Sequence, residues 1–286
     1  MSTEILPPIG PRPGSSLYYA ALYADDDTRD RCLRTLNLIS IIANSLLDVQ
    51  DPAVAQQKIH WWHEELDRLN NKSATHPSLI ACQSIHDNHA LKKHCMAVLS
   101  AAANERMSPA STEADLSAEL ASDYYARGAL LLDGLNGEPS TPEIMEQLLP
   151  DLSTAFSYSG RLRQLRRLLH RGIAVFSDEC YQQFDLQPTT LIQYVASTNP
   201  RNEKIDQLIA NRVDHAAVAY AKAETTLTID MVKNQPKLLP LLTLTRMRQQ
   251  QINLWQKQRP DLLREAVTPT PVRKFWLTWR LMRKTR

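Results

Sequence analysis

An arginine-rich segment at residues 161–171 has the clearest potential for anion binding in this chain. It contains six basic side chains and no acidic one, and four leucines supply an apolar side. A guanidinium group matches the oxygen geometry of phosphate and carboxylate, so such a helix face could hold an anionic ligand. The same pattern is also typical of a solvated helix face. Under the first interpretation, the ligand-binding residues are Arg163, Arg166, Arg167 and Arg171.

A polar seam crosses an otherwise apolar stretch earlier in the chain. Asn37, Ser40, Asn44 and Asp48 recur at spacings of three and four residues, which places them on one face of a helix. Buried polar groups need hydrogen-bond partners. The seam therefore predicts either the polar floor of an internal cavity or a set of hydrogen bonds satisfied within the core. The cavity interpretation adds Asn44 and Asp48 to the ligand-binding residues.

Two further groups have the residue types of a metal site without its context. The acidic segment 26–30, Asp-Asp-Thr-Arg-Asp, begins a predicted helix, where the helix dipole alone favours acidic side chains. Cys82, His86 and His89 fall on one face of a predicted helix. A structural zinc site, however, takes four ligands in a defined spacing. We therefore predict no metal-binding residues in either group.

The C-terminal segment, residues 269–286, combines positive charge with aromatic side chains. It contains six lysines and arginines and no acidic residue. Helical spacing places Phe275, Trp279 and Met282 on one face and cations on another, as in a helix that lies on an anionic membrane. The alternative is a terminal helix that docks onto its own domain through the aromatic face. The predicted membrane-contact residues are Arg273, Lys274, Trp276, Trp279 and Arg280.

Composition restricts the elements that must position these residues. With 7 glycines in 286 residues, the chain has about a third of the usual share, too little for the turns of a many-stranded sheet. Apolar residues recur at helical spacing between proline-containing breaks, with unbroken helices predicted at residues 77–106 and 201–232. We predict an all-α protein with an extended proline-rich arm at residues 1–14, a single helical domain at residues 15–268 and a basic amphipathic helix at residues 269–286.

Charge and cysteine content narrow the environment and the partners. The formal net charge is +2, so no global field favours nucleic acid, and none is expected as a partner. The four cysteines show no paired spacing, and the chain does not begin with a signal-peptide pattern. Its longest uncharged apolar stretch is shorter than the roughly 20 residues of a membrane-spanning helix. These features predict a cytoplasmic protein whose membrane contact, if any, is peripheral.

Several segments together resemble the squalene/phytoene synthase family. The first covers residues 15–69 without a gap and includes a fairly specific His-Trp-Trp-His-Glu run at residues 60–64. Residues 124–128 resemble the family's central tyrosine-containing helix, and residues 171–179 and 268–277 resemble its later segments. The resemblance implies the isoprenoid-synthase fold, a single bundle of α-helices. It also implies a reaction in which magnesium helps to join two prenyl diphosphates head to head.

The chain departs from this family at both aspartate-rich motifs that hold magnesium. The first motif aligns with residues 43–47, Ala-Asn-Ser-Leu-Leu, where Asp48 is the only nearby acid. The second aligns with residues 164–168, Gln-Leu-Arg-Arg-Leu, where neutral and basic residues replace the acids. Departure of a diphosphate requires cations that neutralise its developing charge. The two losses therefore predict a family member without catalytic activity.

Two functions follow from the resemblance and these departures. In the first, a non-catalytic member binds an isoprenoid, a prenyl diphosphate or a protein partner and requires no cofactor. Its lost aspartates are similar to those of the family branch that includes an assembly factor for respiratory complex I. In the second, a divergent prenyl transferase binds diphosphate through Arg163, Arg166 and Arg167, with Asn44 and Asp48 as residual polar or metal contacts. Magnesium is expected as a cofactor only in this second case.

Overall fold

The chain folds into a bundle of helices. The computed structural model describes residues 13–46, 49, 51–107, 111–137, 140–173, 175–198 and 200–285. Within these ranges the secondary structure is helical and contains no strand, which confirms the predicted all-α class. The α-helices are α1 (Ser16–Ala21), α2 (Asp26–Ser45), α3 (Pro52–Asp67), α4 (Pro77–Gln83), α5 (Asn88–Met107), α6 (Glu113–Asn136), α7 (Pro142–His170), α8 (Asp178–Gln183), α9 (Pro188–Ala196), α10 (Glu203–Thr226), α11 (Ile229–Asn234), α12 (Leu239–Gln258) and α13 (Pro271–Thr285).

Capping residues explain where many of these helices begin. The side chains of Asp25, Asp51 and Thr112 accept hydrogen bonds from backbone N–H groups in the first turns of α2, α3 and α6. Proline occupies the first turn of α3, α4, α7 and α9, where its missing N–H leaves no bond unmade. Helix α6 ends at Gly137, whose φ of 76° lies in the left-handed region. Local sequence therefore sets the ends of the helices around the site.

Two segments predicted as unbroken helices are divided in the structure. Residues 77–106 contain both α4 and α5, and Asp87 caps the second helix by accepting hydrogen bonds from two backbone N–H groups. Residues 201–232 contain α10 and α11, and Thr228 caps the second of these. An aspartate or threonine cap starts a new helix without proline or glycine. For this reason, a search for proline-containing breaks overlooks both divisions.

Helix α7 lies at the centre of the bundle. It packs against α6 and α10 and also contacts α9 and α12. Leu162, Leu165 and Leu169 of α7 are buried in the larger of two apolar cores. The smaller core joins α2, α3, α4 and α5 to one side of α6. Because α6 contributes to both cores, it fixes the position of α2 relative to α7, and these two helices carry the predicted ligand-binding residues.

Helix α13 packs on the edge of the bundle against α1, α11 and α12. Its buried side chains include Leu277 and Leu281, whereas Phe275, Trp276 and Trp279 are exposed. The helix therefore docks onto its own domain, with Leu277, Leu281 and the partly buried Met282 against the bundle and Phe275 and Trp279 exposed. None of the helices in the described ranges combines the length and the apolar character of a bilayer-spanning segment.

Candidate functional site

A cavity of about 260 Å³ lies between α2, α6, α7 and α12, and Leu17 of α1 also lines it. Most of its wall is apolar. Such a wall favours a hydrocarbon ligand, because burying apolar surface away from water is favourable. The main apolar lining residues are Leu36, Ile39, Leu131, Leu149, Leu152, Phe156, Leu168, Leu241 and Leu244.

Polar side chains from three helices also line the cavity. They come from α2, α6 and α7, so they lie on the same helices that supply the apolar wall. A cavity that joins a large apolar surface to a few polar groups is typical of a ligand site. The polar lining residues are Ser40, Asn44, Asp123, Tyr124, Arg127, Arg161 and Gln164.

The carboxylate in this lining, Asp123 of α6, is held by Arg127 on the next turn. Arg127 Nε donates a hydrogen bond of 2.8 Å to Oδ1, and its Nη2 lies 2.5 Å from Oδ2. The guanidinium carbon of Arg127 also lies 4.8 Å from the centroid of the Tyr124 ring. Asp123 itself is buried. Its negative charge is therefore neutralised within α6.

Arg167 connects α7 to the polar seam of α2. Its Nη1 donates a hydrogen bond of 2.7 Å to Asn44 Oδ1. The Asn44 amide donates in turn to the carbonyl oxygen and the hydroxyl oxygen of Ser40, at 2.6 and 3.0 Å. Asn37 instead donates to the Ser78 hydroxyl of α4. Ser40 and Asn44 thus follow the cavity interpretation of the seam, whereas Asn37 follows the alternative of a hydrogen bond within the helix packing.

A glycine on α7 allows Tyr124 to lie against that helix. A Cβ atom at Gly160 would overlap the Tyr124 hydroxyl and the adjoining ring carbon. Any larger residue at this position would displace the ring. Both residues line the cavity, so this close approach shapes its wall.

Arg163 lies one turn before Arg167 and joins cations from two other helices. We call Arg163, Arg248 of α12 and Lys274 of α13 the cationic cluster. Burial, together with the charge of Arg163, lowers the pKa of Arg248 to about 9. Burial and the charges of Arg248 and Arg163 lower the pKa of Lys274 as well. Arg163 precedes Gln164, and Arg248 lies one turn after Leu244; both of these neighbours line the cavity, so the cluster lies behind its wall.

The cationic cluster has polar contacts but no carboxylate partner among the described residues. Arg248 Nη1 donates to Gln251 Oε1 at 3.1 Å, and Lys274 Nζ donates to the carbonyl oxygen of Gly14 at 3.1 Å. None of the ion pairs in the described ranges includes Arg163, Arg248 or Lys274. Arg248 and Lys274 are buried, whereas Arg163 is exposed, and like charges that lie close together repel one another. An anionic ligand would relieve this repulsion.

The structure separates the predicted ligand-binding residues. Arg167 bonds to Asn44, which lines the cavity, and Arg163 belongs to the cationic cluster. Arg166 is exposed, and its Nη1 donates a hydrogen bond of 3.4 Å to the carbonyl oxygen of Arg264. Arg171 follows the last residue of α7 and is half-buried there. Asp48 lies outside the described residues.

Lys274, one of the predicted membrane-contact residues, lies on the inner side of α13. Its side chain is buried and bonded to the Gly14 carbonyl. On a helix, position 274 shares a face with Leu277 and Leu281, which pack on the bundle. The cation is therefore turned toward the protein interior.

Sequence analysis also overlooked residues of this region. Asp123 and Arg127 are four residues apart, a spacing that favours an ion pair on one helix. Arg248 lies four residues after Leu244 and seven before Trp255, so it occupies the apolar face of its helix. A cation on the apolar face of a helix is the sequence signal that could have identified the cationic cluster.

The two groups whose residue types are typical of metal sites form other contacts in the structure. Asp26, Asp27 and Asp30 each form an ion pair with an arginine three or four residues later on α2. The division between α4 and α5 takes His86 out of the helix, and its Nε2 lies 2.9 Å from Thr35 Oγ1. In the described ranges, no group of three His, Cys, Asp or Glu side chains could hold a metal ion.

The squalene/phytoene synthase family model matches residues 11–269, so the chain belongs to this family. Its fold is similar to that of squalene synthase HpnC from Alicyclobacillus acidocaldarius, with a TM-score of 0.63 and 16% identity over 85% of this chain and 88% of that one. It is also similar to a dehydrosqualene synthase in complex with ligand, with a TM-score of 0.64 and 14% identity over 94% and 95% of the chains. These similarities confirm the isoprenoid-synthase fold. No curated protein matches the chain significantly.

Magnesium is the cofactor that this family suggests, and the described lining of the cavity does not fit a magnesium cluster. Magnesium prefers oxygen ligands, chiefly carboxylates and phosphates. Among the described residues that line the cavity, Asp123 supplies the only carboxylate, and Arg127 binds both of its oxygens. The described residues near it offer guanidinium and amide groups instead.

Proposed function

We propose that this chain is a non-catalytic member of the family that binds one isoprenoid diphosphate. The observation that carries the proposal is the apolar cavity with the cationic cluster beside it. The hydrocarbon chain would occupy the apolar part of the cavity. The diphosphate would lie between the cluster and Arg167, because guanidinium groups match phosphate oxygens in charge and geometry.

The side chains at the polar end favour binding over condensation. Head-to-head condensation begins with the departure of a diphosphate, and metal cations stabilise the charge that develops on it. Arginines can neutralise a bound diphosphate without the carboxylates that would hold such metals. The described lining supplies arginines and one carboxylate that is already paired. This supports a ligand that is held intact.

The size of the cavity supports one ligand. Ligand cavities commonly span about 300–1,000 Å³. At about 260 Å³, this cavity is slightly smaller than that range. Condensation requires two prenyl chains side by side, whereas this volume suits one.

Titration calorimetry with farnesyl diphosphate tests the proposal directly. We expect binding without magnesium and much weaker binding of farnesol, which lacks the diphosphate. Arg163→Glu and Arg167→Glu should each lower the affinity about tenfold or more, because each loses a charge-assisted contact. Arg163→Gln and Arg167→Gln serve as milder variants if charge reversal disturbs folding.

The matched control is Arg166→Glu. Arg166 lies between the two test positions on α7, but its Nη1 donates a hydrogen bond to the Arg264 carbonyl. Its affinity for farnesyl diphosphate should stay within about twofold of the parent. Equal losses in all three variants would show a general effect of charge and contradict the site.

Product analysis separates this proposal from the alternative of a divergent prenyl transferase. The protein is incubated with farnesyl or geranylgeranyl diphosphate, with and without magnesium and NADPH, and the products are examined by mass spectrometry. We expect unchanged diphosphate. A condensed C30 or C40 product would overturn the non-catalytic reading.

A prenyl ligand partitions into lipid, so we also propose that the protein acts on the cytoplasmic surface of a membrane. A protein partner, including the role of an assembly factor, stays a prediction from the family resemblance.

A further inference from the structure

Helix α13 presents an apolar, aromatic face to solvent. Val272, Trp276 and Trp279 follow one another at spacings of four and three residues, and Phe275 lies beside them. The exposed fraction is 76% for Val272, 53% for Trp276, 46% for Phe275 and 36% for Trp279. The opposite face of the helix packs on the bundle. Large apolar side chains that are exposed next to one another mark an interaction surface.

Two arginines accompany the tryptophans on this face. The guanidinium carbon of Arg280 lies 5.3 Å from the centroid of the Trp276 ring, and that of Arg283 lies 4.9 Å from the centroid of the Trp279 ring. These cation–π contacts hold positive charge at the level of the rings. We define the outward ridge as Val272, Phe275, Trp276, Trp279, Arg280 and Arg283.

The chemistry of the outward ridge matches an anionic lipid surface. After Glu265 the sequence contains six lysines and arginines and no acidic residue. Indole rings settle at the boundary between lipid headgroups and acyl chains, and nearby cations are attracted to acidic headgroups. A helix that is anchored through its leucines can offer both groups to a bilayer without leaving the bundle.

We propose that the outward ridge docks the protein on an anionic bilayer, with α13 parallel to the surface. Helix α1 and the turn after it extend this contact, because Tyr18 of α1 is exposed and the ring centroid of Tyr23 in the turn lies 6.5 Å from that of Phe275. Leu17 of the same helix lines the cavity. Docking therefore brings one wall of the cavity toward the bilayer, where a prenyl ligand enters; this last step rests on the proposed function.

Co-sedimentation of the full chain with lipid vesicles tests the docking without any prenyl ligand. The parent should sediment with vesicles of phosphatidylcholine and phosphatidylglycerol and far less with phosphatidylcholine alone. Trp276→Ser with Trp279→Ser should lower the partition coefficient about tenfold or more, because two interfacial indoles are lost. Arg280→Glu with Arg283→Glu should remove the preference for anionic vesicles, since each cation near such a surface contributes roughly fivefold.

The chain offers matched controls for both double variants. Trp61 of α3 is 41% exposed, and Lys257 of α12 is exposed, yet both lie outside the outward ridge. Trp61→Ser and Lys257→Glu should sediment like the parent, and circular dichroism should show the same helical content in every variant. Parent-like sedimentation of both double variants, or a parent that does not bind anionic vesicles, overturns the docking.

Calorimetry in solution separates this inference from the proposed function. The Trp276→Ser, Trp279→Ser protein should bind farnesyl diphosphate like the parent, because neither tryptophan lines the cavity. Loss of vesicle binding with unchanged ligand affinity supports docking by itself. If the parent binds vesicles but not farnesyl diphosphate, the docking stands and the proposed function fails.

Discussion

Helices α7 and α13 both interleave arginines with apolar side chains, and the structure uses the two patterns in opposite ways. In α7, Leu162, Leu165 and Leu169 are buried, and its arginines contact groups of other elements. In α13, tryptophans are exposed, and two arginines lie over the rings of their own helix. In α7, Arg167 bonds to a residue that lines the cavity, whereas Arg280 and Arg283 of α13 lie on its exposed face.

The position of each helix in the bundle explains the difference. Helix α7 packs against α6, α9, α10 and α12, so neighbouring helices supply carbonyl and amide oxygens for its guanidinium groups. Helix α13 is covered on one side only, and its outer cations have the indole rings of the same helix within reach. A run of arginines in the sequence thus predicts that a helix is positively charged. Which groups its arginines contact depends on the neighbouring helices.

The sharpest test of this contrast compares apolar side chains from the two helices. Leu165 of α7 is fully buried, whereas Trp276 of α13 is 53% exposed. Leu165→Ala should lower the free energy of unfolding by about 2–5 kcal/mol, because it leaves a cavity in the core. Trp276→Ala should change it by about 0.5 kcal/mol or less. Urea denaturation measures both, and a larger loss for the tryptophan would mean that α13 is held by its aromatic face.

His86 adds a third case to this comparison, a buried basic side chain that is neutral in the folded protein. It is buried between α4 and α5, and burial together with the nearby charge of His94 lowers its pKa from 6.5 to about 4. Between these values the unfolded chain binds more protons than the folded one, so stability falls as the pH drops through this window. The expected loss is on the order of 3 kcal/mol.

Urea denaturation near neutral pH and near pH 4 checks this loss, with His86→Gln as the comparison. The variant should show a flatter dependence on pH. Part of the dependence should remain, because burial also lowers the pKa of His94. An equal dependence in both proteins would assign the effect to other groups.

Sequence patterns predicted the helical class and the family because both depend on local signals. Helical spacing, proline-containing breaks and the run at residues 60–64 are all read from neighbouring positions. The contacts of individual arginines depend instead on residues that are distant in the sequence. Arg167 bonds to a residue 123 positions away, and Arg166 to one 98 positions away. Two adjacent arginines could not be told apart before the packing was known.

The same limit explains why the candidate site was predicted only in part. The spacing of the polar seam placed Ser40 and Asn44 on one face of α2, and both residues line the cavity. Spacing does not show which helix covers that face. Arg248 and Lys274 therefore joined the site from α12 and α13, outside the segment whose arginines drew attention.

The smallest expected effect concerns the contact between α2 and α7. If Asn44 positions Arg167 for the diphosphate, Asn44→Ala should lower the affinity for farnesyl diphosphate by about fivefold, the value of one net hydrogen bond. Asn37→Ala is the matched control, since Asn37 lies on the same helix but bonds to Ser78. Its affinity should equal that of the parent.

A double-mutant cycle shows whether Asn44 acts through Arg167. Once Arg167→Glu has removed the guanidinium, Asn44→Ala should cause no further loss of affinity in calorimetry, because the group that it positions is gone. Additive losses would mean that Asn44 contacts the ligand independently. The cation of α7 would then bind without support from α2, and the contrast with α13, whose cations are held by their own helix, would lose its physical basis.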